Sequence, residues 1–280
     1  MKKFKDNLLL LVLLAVFASI LLFSKDIKSS VIDSCNLWFK NLVPSMLPLY
    51  ILLDLAINCG LSRNLFYLFK TNSVMLVLIS LIGGTPGNAK YIKEFYQSGS
   101  ISKDLGEYLL TFAYSPNPLF ILAIAPNLKF AFAVLGCLYA MNFMNLLLFR
   151  PKFRDKASRE ATREPQPFSQ VLENSISKSF SVLVLVLGIV VVYGIMNTLL
   201  KIYHLDSIFV SSLFEMTNAL AIIRLAGSNF WWFTFACQFA GFSIHTQIKS
   251  ILEGTDLSYR YFLLGRLVAS LPFLLLAIFY

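Results

Sequence analysis

The sequence predicts an all-α, polytopic membrane protein made of two repeat halves, each with a broken or re-entrant helix, in a transporter-like arrangement. Three observations predict it. The 280-residue chain is 57% hydrophobic and only 14% charged, with mean hydropathy +0.70, where soluble domains carry about 25% charged residues. Apolar runs recur near residues 7–23, 42–58, 72–84, 118–149, 181–200, 206–227, 229–245 and 261–280, enough for six to eight membrane segments. Several of these fall short of the roughly 20 residues of a full crossing. Short spans imply helices broken where protein or a water-filled cavity satisfies the backbone.

Taken in order, the first element is an apolar run after Met-Lys-Lys-Phe-Lys-Asp. It resembles a signal peptide, but Phe23, Ser24, Lys25 and Asp26 close it without a small-residue cleavage site, so an uncleaved first helix is expected. Residues 1–150 form the first transmembrane half. The polar stretch 151–179 is read as a cytoplasmic loop, and 180–280 as the second half. The net charge of +9 does not point to nucleic acid. Its carriers are Lys2, Lys3 and Lys5 at the start, and Arg150, Lys152, Arg154, Lys156, Arg159, Arg163 and Lys178 around the central loop. Basic residues in loops mark the cytoplasmic side. Cys35, Cys59, Cys137 and Cys237 lie far apart without metal-ligand spacing. Neither a metal nor a cofactor is implied.

The halves share an order of features. A shift of 156 positions lays YIKEFYQSGSIS (91–102) over QIKSILEGTDLS (247–258). Each segment follows a glycine break, carries a lysine and ends in a serine, Ser102 or Ser258, placed to cap the next helix. Internal repeats with discontinuous helices belong to many secondary transporters, whose helix ends meet near the bilayer midplane around substrate.

Chemistry concentrates at the breaks. In GGTPGNAK (83–90), glycines permit positive φ and close backbone approach and Pro86 ends the incoming helix. Thr85, Gly87, Asn88 and Lys90 are the substrate-binding candidates there, with Lys90 supplying charge for an anion. The bland alternative is a plain turn whose lysine reaches the headgroups. In YSPNPLF (114–120), Ser115 and Asn117 flank prolines suited to a first helical turn. The second-half candidates are Ser243, His245 and Gln247 in AGFSIHTQIK; a lone histidine is as readily a structural hydrogen bonder. Glu215 and Asn218 in FEMTNALAIIR, read as neighbours on one helix face, are candidates for ion or proton coupling, because an ionisable group in an apolar run usually faces a bundle interior or a water path. Asp54 in YILLDLAI raises the same question. If the breaks form one site, Thr85, Asn88 and Lys90 share a cavity with Ser243, His245, Gln247 and Glu215, while Lys93 stays at the interface. No nucleophile–base pair or nucleotide motif is present, so an enzyme is not expected.

These stretches resemble the sporulation integral membrane protein family (YlbJ-like), related to nucleoside-recognition Gate domain proteins. The resemblance lies in Gly84, Pro86, Gly87, Ala89, Lys90, Gly99, Ile101, Ser102, Pro118, Leu119 and Phe120. It continues in Glu215, Thr217 and Leu220, and in GFSIHTQIKSILEGTDLSYRYFLLGR (241–266). The chain departs from the family at Gly87-Asn88 and at Asn117, where a glycine is usual. The resemblance implies a multi-pass transporter or permease for a small anion, dipicolinic acid, in the outer forespore membrane during endospore formation. The alternative is a non-transporting scaffold or assembly factor. Expected partners are the lipid bilayer and a small-molecule anion; a homo-oligomer or other membrane proteins are also compatible.

Overall fold

A computed structural model describes residues 2–69, 72–112, 114–149 and 167–280. Most of the basic central loop, including Arg150, Lys152, Arg154, Lys156, Arg159 and Arg163, lies outside the described residues. Those described contain helices and no strands, and the protein is a multi-pass, all-α membrane protein.

The first half holds α1 (Lys2–Leu22), α2 (Ser24–Leu37) and α3 (Val43–Asn58), then α4 (Leu61–Phe69), α5 (Ser73–Gly83), α6 (Gly87–Gln97), α7 (Lys103–Phe112), α8 (Pro118–Ile124) and α9 (Leu128–Phe149). The second holds α10 (Phe168–Ile202), α11 (Ile208–Phe214), α12 (Met216–Leu225), α13 (Phe230–Phe239), α14 (Gly241–Leu252) and α15 (Tyr259–Phe279). Four described helical stretches are long and apolar enough to cross a membrane: Ser24–Asn58, Leu128–Phe149, Phe168–Ile202 and Tyr259–Phe279. The last twelve residues of the polar stretch, from Phe168 to Ser179, are the start of α10, so position 180 falls inside a helix.

α2 and α3 join through a π-helical turn, Trp38–Leu42. Pro44 follows it at once; a proline lacks the N–H for the regular ladder and crowds the preceding turn, which widens. The Ser45 hydroxyl donates back to Asn41 O at 2.7 Å. α10 lies antiparallel along this long helix. Trp38 Nε1 donates to Leu183 O at 2.9 Å, and Ser175 Oγ donates to Asp54 Oδ2 at 2.8 Å.

Three of the apolar runs turn out to be interrupted. The run 118–149 breaks between α8 and α9, 206–227 breaks at Glu215, and 229–245 breaks at Ala240. Apart from the α8–α9 junction, each half has two breaks at its candidate motifs, Gly84–Pro86 and Ser115–Asn117 in the first and Glu215 and Ala240 in the second, where the sequence repeat suggested one. In each half, a long helix (α2/α3 or α10) precedes a pair packed against itself, α5/α6 or α11/α12. A second pair that opens out follows, α7/α8 or α13/α14, and then a long helix, α9 or α15. This order places α5/α6 opposite α11/α12, a shorter offset than the 156-position register, which matches α5/α6 with α13/α14. The register misleads because a lysine on an amphipathic helix followed by a serine is a generic pattern.

The ends of α6 and α14 are stitched together. Lys93 Nζ donates to the carbonyls of Ile251 (2.8 Å) and Glu253 (2.7 Å), closing the last turn of α14. Tyr96 OH donates to Asp256 at 2.6 Å, and Lys103 lies 3.2 Å from the same carboxylate. This pairing holds Asp256 below the usual carboxylate range and Lys103 above its ordinary value. Ser102 caps α7 by accepting from Leu105 N (3.2 Å), as its position predicts. Ser258 makes no such side-chain cap; its own N–H donates to Glu107 Oε1 at 2.9 Å instead.

Candidate functional site

Three of the breaks border one small cavity of about 30 Å³, and the interior of α14, beyond the fourth break, completes its wall. Thr85 comes from the α5/α6 break, and Pro116 and Asn117 from α7/α8. Glu215 and Thr217 come from α11/α12, and Gln247 from α14. The π-turn, α3 and α10 supply an apolar wall through Leu42, Met46, Val186 and Val190. The volume suits one or two waters.

The breaks are laced in pairs. Thr85 donates twice to Ser115 O, from its backbone N (2.8 Å) and its hydroxyl (3.0 Å). Asn117 is the N-cap of α8: Oδ1 accepts from Leu119 N (2.9 Å) and Phe120 N (3.3 Å). Its amide donates to Ser45 O and Gly83 O. Gly84 has φ +71, and a Cβ there would meet Asn117 N at 2.6 Å, so both backbone conformation and contact demand glycine. In the second half, Gly241 has φ +61, and a Cβ would stand 3.0 Å from Met216 N.

Glu215 is not within a helix. It is extended (φ −148, ψ 116), serves as the N-cap of α12, and is 2% exposed. Oε2 accepts from Asn218 N at 2.7 Å and from the Thr217 hydroxyl; Oε1 accepts from Ser243 Oγ across a longer 3.5 Å. Asn218, placed by sequence on the same helix face, instead meets this carboxylate through its backbone, because a cap residue bonds the N–H three positions on. Helix N-termini attract anions; here the protein's own carboxylate occupies the α12 N-terminus.

The remaining candidates do not reach the cavity. Gly87 N donates to Tyr50 OH at 3.2 Å. Asn88 is buried, with Oδ1 accepting from Ala89 N at 2.8 Å. Ser115 Oγ donates to Pro116 O at 2.9 Å. Lys90 pairs with Asp54 and with Glu94, each at 3.9 Å. Ser243 reaches the site only through Glu215. His245 is bonded at both nitrogens, to Tyr259 OH (2.6 Å) and to Phe239 O (2.9 Å). A carbonyl only accepts, so Nε2 carries a proton there. The imidazole, bonded on both sides, holds α14 to α13 and α15. Of the residues expected to share one cavity, Thr85, Glu215 and Gln247 line this one, with Asn117 beside them, whereas Asn88, Lys90, Ser243 and His245 do not.

Arg266 was not singled out from sequence. It is wholly buried on α15, with Nη2 donating to Thr111 O (3.2 Å) and Asn142 Oδ1 (3.0 Å). Its guanidinium stacks on the Tyr114 ring at 4.2 Å, while Nε and Nη1 have no partner and no carboxylate is within ion-pair distance among the described residues. The signal was available: an arginine inside the apolar run 261–280 is expensive in lipid and faces the bundle interior. Asn142, Asn145 and Gln238 join it in a buried polar cluster behind Tyr114.

No family model matches the chain, and no solved structure matches it. It is 24% identical to the sporulation integral membrane protein YlbJ of Bacillus subtilis (strain 168), over 83% of this chain and 72% of that protein. Together with a multi-pass helical fold, that similarity supports placing the chain in a YlbJ-like family of integral membrane proteins.

Proposed function

We propose that the protein is a transporter or permease for a small anionic or aromatic solute, moved through the cavity where the breaks meet. The observation that carries this reading is the convergence of Thr85, Asn117 and Glu215, from three separate interruptions, with Gln247 of α14 on one space. A protein that only scaffolds others has no need to break three helix pairs around a common point. The family resemblance of the sequence motifs brings dipicolinic acid as the candidate cargo and the outer forespore membrane as the candidate location. The resemblance to Gate domain proteins adds nucleosides as a comparison.

At about 30 Å³ the cavity is far below the several hundred Å³ of pockets that enclose a drug-sized ligand. An aromatic dicarboxylate requires a wider state, reached by separating the α5/α6 and α11/α12 pairs from the long helices. Ionised Glu215 repels an anionic solute; protonation removes that repulsion and frees α12 N–H groups such as that of Asn218 to donate to a solute carboxylate. Anion and proton binding are then linked, each favouring the other.

Uptake into proteoliposomes of labelled dipicolinate and of nucleosides, with and without an inward proton gradient, tests this. Accumulation of dipicolinate that the gradient stimulates is expected, with Glu215→Gln losing the stimulation. No uptake of any solute by a folded protein would favour a scaffold or assembly factor.

A further inference from the structure

A second space lies beyond the central cavity, a chamber of about 320 Å³ between α2, α10, α11 and α12. It is open to the surface and lined largely by polar side chains of α2, α10, α11 and α12. Ser34 and Ser211 are buried there, and Asn197 projects in with both amide atoms buried and unpartnered. A buried amide free at both ends, in a space this large, is a site for water. The rim carries exposed Asp33 and Asp206 against Lys201. One excess negative charge disfavours an anion and favours a proton or hydrated cation.

The chamber ends at the Glu215 break. Ser211 lines it, and its carbonyl accepts from Glu215 N at 3.0 Å. Asn218 lines it, and its backbone N–H donates to Glu215 Oε2 at 2.7 Å. The residues on either side of the carboxylate's anchoring thus face this chamber, while Glu215 and Thr217 face the central cavity. Gly194 keeps the helices close at this inner end: a Cβ there would meet Ser34 Oγ at 2.5 Å and Asn218 Nδ2 at 3.8 Å.

We propose that the chamber is a water-filled half-channel that delivers protons to Glu215, separate from the route of the anion. A proton from bulk water crosses the chamber and adds to a carboxylate oxygen of Glu215, giving the neutral acid; its release reverses the step, and no electron moves. This rests on the transport reading above, which assigns Glu215 its coupling role.

The test starts from a variant with Cys35, Cys59, Cys137 and Cys237 replaced by serine or alanine, held in nanodiscs. Single cysteines are introduced by Ser34→Cys, Ser211→Cys and, as a buried control on α10, Ser179→Cys. A permanently charged methanethiosulfonate reagent is expected to modify positions 34 and 211 at least tenfold faster than 179, read by intact mass. Asn197→Leu is expected to slow modification at 211 at least tenfold without lowering the melting temperature. In proteoliposomes the same substitution should abolish gradient stimulation while leaving gradient-free uptake intact. Modification at 34 and 211 as slow as at 179 would overturn the half-channel. Rapid modification with gradient stimulation unaffected by Asn197→Leu would overturn its role for protons. Rapid modification without uptake under any condition would instead remove the transport reading, and the proton role with it, leaving only a hydrated chamber.

Discussion

Lys90 Nζ stands 3.9 Å from Asp54 Oδ1, a carboxylate with no exposed surface, while Lys90 itself keeps 15% of its side chain accessible. The lysine that the sequence offers to an anionic solute is therefore engaged by a buried acid on α3. Ser175 Oγ and Asn58 Nδ2 hold the other carboxylate oxygen. The pair ties α6 to the long helix α2/α3 and, through Ser175, to α10.

Removing one partner of such a pair strands the other. Lys90→Met is expected to destabilise the protein by about 3 kcal/mol, the low end for breaking a buried pair because two hydrogen bonds remain on Asp54. The double variant Lys90→Met, Asp54→Asn should recover most of that loss. Thermal unfolding in detergent reads both. A double variant no better than the single one would return Lys90 to the role of a solute-binding charge.

Lys93 is expected to matter for stability as well, against its reading as an interfacial lysine. It donates to two terminal carbonyls of α14, where a cation also favours the helix dipole. Because the site is partly exposed, Lys93→Met should cost about 1 kcal/mol, measured by the same unfolding assay. Lys249, its partner in the 156-position register, should cost nothing measurable on substitution to Met.

These two lysines show what sequence could and could not give. Their helix was legible from its glycine-proline start and amphipathic pattern. Which way each ammonium points depends on α3 and α14, both distant in sequence, and no local pattern carries that. Asn117 and Glu215 were legible as candidate positions because prolines and an intramembrane acid are costly in apolar runs. Their shared role as N-caps was hidden: the extended conformation of Glu215 interrupts an otherwise continuous apolar run, with no proline or glycine to mark it. Arg266 stood in plain view inside an apolar run, and only its burial without a counter-charge made it distinctive.

The glycines at the breaks separate conformational cost from contact cost. Gly84 and Gly99 have nearly equal φ, +71 and +70, yet a Cβ at Gly84 meets Asn117 at 2.6 Å and one at Gly99 meets nothing within 4 Å. Gly99→Ala should cost about 1 kcal/mol, from backbone strain alone. Gly84→Ala adds a clash with backbone that cannot yield, and should cost several times as much or prevent accumulation in the membrane. Folded yield and melting temperature distinguish the two; equal effects would mean that the α5/α6 and α7/α8 breaks are not in contact.

Arg266 allows the sharpest separation of stability from activity. A buried cation without a carboxylate contributes little to stability, since its lost hydration is repaid only by two hydrogen bonds and the Tyr114 ring. Replacing it with a hydrophobic residue of similar length is often neutral or favourable. Arg266→Met is therefore expected to unfold within about 1 kcal/mol of the original protein. If the arginine lends its positive field through Tyr114 to the neighbouring Ser115–Asn117 break, the same variant should lose anion uptake at least tenfold. Arg266→Lys should restore part of that uptake, because it keeps the charge but not the planar stacking. A large loss of stability in Arg266→Met, with Arg266→Lys no better, would show that packing against Tyr114 and Phe262, and not charge, is what the residue supplies.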